Sequence, residues 1–69
     1  GHAWRGLRTR RWKYVVLDGQ PWMLFDLAED PFEMNNLAAS HAHAGVRREL
    51  HETLKRRAIE THDSYEFAE

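Results

Sequence analysis

Cysteine is absent from this 69-residue chain. No disulfide framework and no thiolate metal site can staple it, and the absence leaves the redox compartment open. Long apolar runs are missing as well. None approaches the roughly 18 residues of a membrane-spanning helix, and no signal-peptide pattern is present. A starting methionine is also lacking: the chain opens Gly1-His2-Ala3-Trp4 and its first methionine is Met23. That opening reads as a fragment of something longer or a processed chain, with Gly1 and His2 also readable as a cloning remnant. So short a sequence has room for one domain, residues 1–69, with one small core. Without a staple it needs dense packing, a partner, or both.

What is present is ordinary for a globular protein: 42% apolar residues, of which the aromatics make up 12% of the chain. Net charge is −1, but the charges fall in blocks. Residues 1–17 hold Arg5, Arg8, Arg10, Arg11 and Lys13 and no acid; residues 18–38 hold Asp18, Asp26, Glu29, Asp30 and Glu33 and no base. Opposed blocks this close in sequence fit neighbouring strands or loops that neutralise one another, in preference to a nucleic-acid patch.

Residues 4–9, "WRGLRT", and 12–17, "WKYVVL", are rich in aromatic and β-branched residues and predict strands, joined by a turn at Arg10-Arg11. "DGQP" at 18–21 predicts a second tight turn, with Asp-Gly making the bend and Pro21 ending it. "WMLFDL" at 22–27 predicts the third strand of an antiparallel meander. Trp12, Tyr14 and Val16 share one face of the second strand, and Lys13, Val15 and Leu17 the other. In the third strand Trp22 and Leu24 lie opposite Met23, Phe25 and Leu27. Both faces are therefore apolar over much of their length, which predicts that both are covered.

One cover is visible. Val46, Leu50, Leu54 and Ala58, with Ile59 alongside, recur at helical spacing and predict a helix over about 40–61, with Ser40 as N-cap and Glu52–Arg56 as a surface pair. Residues 62–69 read as a tail. The fold class is thus α+β, a small three-stranded antiparallel sheet with a C-terminal helix packed on one face. Nothing remains for the second face, which marks it as an interaction surface.

Residues 28–39 form a corner between sheet and helix. Asp30-Pro31 initiates a turn, Pro31 can open a single helical turn "PFEMN", and Asn35 or Asn36 tolerates the left-handed conformation that stops it. Leu37 then drops back into the core.

The ordered series "RGLRTRRWKYVV", "PWMLFDLAEDPFEMNNLA" and "HAHAGVRRELHETL" resembles the C-terminal subdomain of sulfatases, in the alkaline-phosphatase superfamily. Its pattern there is an R-x-x-R-T strand, a (R/W)-(Y/W)-K-Y strand, and L-(F/Y)-D-L-x-x-D-P-x-E-x-x-N-L, followed by a helix. Arg5, Arg8, Thr9, Trp12, Lys13, Tyr14, Leu24, Phe25, Asp26, Leu27, Asp30, Pro31, Glu33, Asn36 and Leu37 match in order. The resemblance runs from about Trp4 to His62, nearly the whole chain. It implies that the second sheet face leans on a large catalytic domain of the parent hydrolase, and that Asp26, Asp30, Pro31, Glu33, Asn36 and Leu37 are structural corner residues. It also implies that the segment leading into the first strand nears the substrate cleft, making His2, Trp4 and Arg5 the substrate-contact candidates.

A sulfatase hydrolyses a sulfate ester with a formylglycine, made from the first residue of C/S-x-P/A-x-R, and a divalent metal, usually calcium. This chain has no Cys, and neither Ser40 nor Ser64 is followed by that motif. No catalytic residue, metal ligand or cofactor is therefore assigned to it; formylglycine and calcium are expected in the parent, and the chain alone is expected to be inactive. The histidines, His41-x-His43 included, lack a third ligand at useful spacing and read as surface residues.

Two other function classes compete with that reading. A free-standing interaction module would self-associate through the bare sheet face and show concentration-dependent mass. A single-strand nucleic-acid binder would use the basic and aromatic residues of "WRGLRTRRWKY" and show steep salt dependence. The slightly acidic chain and the need for its aromatics in the core disfavour the second. The favoured partner is the parent's catalytic domain, with neither nucleic acid nor membrane as partner.

Overall fold

A computed structural model of the chain describes residues 3–68. Strands β1 (Trp4–Arg8), β2 (Trp12–Leu17) and β3 (Gln20–Asp26) are followed by a 3-10 turn (His41–His43) and helix α1 (Ala44–Glu60). The sheet is an antiparallel meander with β2 in the centre. The α+β expectation holds.

Each link has a local cause. At the first, Thr9 N–H donates to the Trp12 carbonyl at 2.8 Å and Trp12 N–H donates to Thr9 Oγ1 at 2.9 Å. At the second, Asp18 and Gly19 both have positive φ, 50° and 81°, as a two-residue hairpin turn of matching twist requires. Pro21 does not end that turn; it lies inside β3, opposite Val16, next to a bulge. β3 is an edge strand, where a missing N–H is tolerated. The bulge puts Met23 opposite Val15 and Pro21 opposite Val16, leaving Trp22 as the extra residue, so Trp22 does not continue the simple alternation.

Cross-strand register sets the core. Leu7 faces Tyr14, and Tyr14 faces Leu24. These three and Val16 meet Leu50 and Leu54 of α1 in one buried cluster. Each such apolar side chain contributes about 1.5–3 kcal/mol by leaving water. Trp12, Leu37, Ala38, Val46, Tyr65 and Phe67 pack around its rim. The helix stripe is as the spacing predicts, except that Ile59 is exposed and His51 takes a buried place in its stead.

Ser40 makes no capping bond at the start of the 3-10 turn; its hydroxyl pairs with His43 Nδ1 at 2.8 Å. At the other end, His62 is left-handed (φ 57°), Asp63 N–H donates to Ala58 O and His62 N–H to Ile59 O. That double bond pattern closes the helix with a Schellman motif. Glu52 sits 3.8 Å from Lys55 (i,i+3), and the expected Glu52–Arg56 contact is not among the salt bridges of the described residues.

The tail is part of the fold. Phe67 and Tyr65 pack edge to face, and Ala68 N–H donates to Gly19 O at 2.9 Å. The Tyr65 hydroxyl accepts from Gly19 N–H at 2.7 Å and donates to Ala3 O at 2.9 Å. Gly19 is required here twice over: besides its φ, a Cβ would come within 2.4 Å of the Glu66 carbonyl.

Candidate functional site

The helix, the 3-10 turn and the aromatic tail residues all serve one face of the sheet. The other, called here the far face, carries Trp4, Gly6 and Arg8 from β1, Lys13, Val15 and Leu17 from β2, and Met23 and Phe25 from β3. It is less bare than the sequence predicts. Val15 and Phe25 are 6% and 7% exposed, and the Trp4 indole lies close over Gly6, where a Cβ would meet it at 3.3 Å. Trp4 becomes the outer layer and is itself 60% exposed.

At the β3 edge the far face meets the corner, which is built from polar side chains capping backbone groups. Asp26 comes first. Its carboxylate takes the Arg11 guanidinium at two points, 3.2 and 2.9 Å, and also the Ala28 N–H at 3.1 Å. Arg11 holds its carboxyl below the usual carboxylate range, with the Glu29 and Ala28 amides assisting against the opposing cost of burial.

Asp30 accepts from the N–H groups of Met34 and Asn35 at 3.0 and 2.8 Å. Asn36 works on the sheet edge: its Oδ1 accepts from Leu24 and Ala38 N–H, each at 3.0 Å, and its Nδ2 donates to Trp22 O at 3.0 Å. Leu37 N–H then donates to Leu24 O at 2.7 Å, so residues 36–37 pair with the outer edge of β3 and hide it. Leu37 packs against the core. Pro31 follows Asp30 in a turn closed by Glu33 N–H to Asp30 O at 3.0 Å, not in a helical turn.

The left-handed residue of the corner is Glu33 (φ 55°), not Asn35 or Asn36. Both asparagines follow the left-handed residue, and Asn36 is needed as a clip; Glu33 is held in place by a 2.6 Å bond to Lys13 Nζ. Arg11–Asp26 and Lys13–Glu33 realise the neutralisation of the two charge blocks.

Of the substrate-contact candidates, His2 lies outside the described residues. Trp4 and Arg5 are adjacent strand residues and project to opposite faces. Arg5 is bound to Asp63 at 2.7 and 3.2 Å, stacks 4.5 Å from the Tyr65 ring, and donates to Trp4 O. Its partner is thus the tail and not the acidic block. Asp63 is held below the usual carboxylate range by that guanidinium and by the Tyr65 amide.

His51, expected at the surface, is 8% exposed. Its Nε2 lies 2.7 Å from the Ala68 carbonyl, which can only accept, so Nε2 carries the proton. Its Nδ1 pairs with the Tyr14 hydroxyl at 2.6 Å, so both ring nitrogens are engaged. Burial pushes the Tyr14 hydroxyl up to about 12, with Arg47 opposing. These residues line an open groove of about 340 Å³ with Gln20, Pro21 and Arg47.

The corner oxygens do not fit calcium, which needs about six to eight oxygen ligands. Those of Asp26, Asp30 and Asn36 are committed to backbone N–H groups and Arg11, and no cluster of three or more His, Cys, Asp or Glu suited to a metal occurs among the described residues. No described helix is long and apolar enough to cross a membrane.

Every polar position of the L-F-D-L-x-x-D-P-x-E-x-x-N-L series thus has a structural task. The model of one protein family, described as N-sulphoglucosamine sulphohydrolase, C-terminal, matches residues 2–60. The chain belongs to that family. This sulfatase C-terminal family match covers the sheet, the corner and α1, and leaves the tail beyond it. Neither the curated proteins nor the solved structures hold a match to the chain.

Proposed function

We propose that this chain is the C-terminal subdomain of a sulfatase-type sulfuric ester hydrolase, and that it supports the catalytic domain through the far sheet face. The observation that carries the reading is on that face: Trp4, whose indole lies over Gly6, is 60% exposed there, while the helix and tail serve the opposite face. An exposed indole of this size, on the face that the helix leaves uncovered, fits against a partner. Trp4 also stands where β1 begins and borders the substrate cleft in this reading. Arg5 contributes no free guanidinium there, because Asp63 engages it. Ester hydrolysis, with its formylglycine and calcium, belongs to the parent's catalytic domain; this chain supplies shape and support.

The test is the reading frame upstream of the Gly1 codon. A long in-frame stretch containing C/S-x-P/A-x-R is expected. A start codon immediately before Gly1 would contradict the reading and favour a module that self-associates through the same face.

A further inference from the structure

Phe32 and Met34 are the most exposed large apolar side chains described, at 84% and 83%. They flank Glu33, whose φ of 55° is unfavourable for a residue with a Cβ. Such a conformation persists only where its surroundings over-determine it, and here they do. Asp30 N–H donates to Asp26 O at 2.7 Å, Glu33 N–H to Asp30 O at 3.0 Å, and Met34 and Asn35 N–H to the Asp30 carboxylate. The Glu33 carboxylate is tied to Lys13 at 2.6 Å. The two apolar side chains therefore stand on a backbone that is bonded on both sides of each, unlike a loose loop.

Charge narrows what they fit. Of four carboxylates around the tip, Asp26 and Glu33 are neutralised by Arg11 and Lys13. Glu29 and Asp30 make no salt bridge among the described residues, which leaves the tip acidic around its two apolar side chains.

From this we infer that Phe32 and Met34 are a preset two-pronged docking element, and that Lys13 is its positioning residue, acting through Glu33. The occupant is a protein surface with apolar pockets and a basic rim. The inference rests on the proposed function and identifies that surface with part of the parent's catalytic domain. Presetting the prongs lowers the ordering cost of docking.

The experiment compares melting midpoints of the 69-residue chain and of the parent enzyme. The variants are Phe32→Ser with Met34→Ser, Lys13→Met, Lys13→Arg and Trp4→Ser. The double variant is expected to leave the short chain within about 1 °C, because both side chains are solvated, and to lower the parent by about 3 °C or more. Lys13→Met should reproduce part of the parent's loss, and Lys13→Arg should restore it. A parent that is indifferent to the double variant but destabilised by Trp4→Ser would overturn the prongs and leave the proposed function standing. An equal loss in chain and parent would make Phe32 and Met34 internal packing and likewise overturn the inference. An upstream frame with no catalytic domain would remove the proposed function, and the inference with it.

Discussion

The corner and the tail are both irregular, yet they are held in opposite ways. The corner is fixed by charged and amide side chains that cap nearby backbone, and it turns Phe32 and Met34 outward. The tail is fixed by aromatic rings and by bonds to residues far back in the chain, and it turns Tyr65 and Phe67 inward. A segment capped from within can project apolar groups without losing its shape. The tail, whose internal cap is the Asp63 carboxylate on the Tyr65 N–H, keeps its shape mainly by burying them. The first is suited to meeting a partner and the second to closing the domain.

Substitutions can break each side of that contrast. Gly19→Ala is expected to have the largest effect, about 3 kcal/mol, because a Cβ is strained at φ 81° and strikes the Glu66 carbonyl. Urea unfolding would measure it, and proteolysis should then cut residues 62–68 first. Asn36→Ala attacks the corner. It leaves the Leu24 N–H at a fully buried residue without its acceptor, for a loss of about 2 kcal/mol by the same assay. Tyr65→Phe keeps the ring but removes the acceptor of Gly19 N–H and should cost about 1 kcal/mol. Phe32→Ser in the isolated chain should fall within about 0.5 kcal/mol of zero, since nothing is unburied.

Titration probes both segments together. Asp26 in the corner and Asp63 at the tail have folded values below the ordinary 3.8. The unfolded chain therefore takes up protons first, and stability present near neutrality is retained to about pH 5 and lost as pH falls through the folded values. Tyr14 works at the other end, because its folded value is raised from 10.0 to about 12. Its stabilising contribution is complete below pH 10 and lost as pH climbs toward 12. Circular dichroism across both ranges would show the two limbs.

The same contrast explains what could be read in the sequence. The three strands, the Asp18-Gly19 turn, α1 and the turn begun at Asp30-Pro31 follow from spacing and turn chemistry, whereas the clip that Asn36 makes on the β3 edge does not. The left-handed site moved from the asparagines to Glu33 because Lys13, on the neighbouring strand, supplies a clamp that local propensity does not see. The tail was illegible for a similar reason. Arg5–Asp63 spans 58 residues and Tyr65–Ala3 spans 62, and no local pattern announces such pairs. His51 sits within an otherwise apolar stripe, and only the arrival of Ala68 and Tyr14 explains its burial. An inward-facing histidine beside Leu50 and Leu54 was the available signal.

Hydroxyl-radical footprinting of Trp4, in the 69-residue chain and in the protein encoded by its whole reading frame, tests the central claim most directly. In the chain alone Trp4 is 60% exposed and should label readily. The account predicts strong protection in the longer protein, where the far face is covered by the catalytic domain. Equal labelling in both would show that this face meets no such domain and would contradict the account.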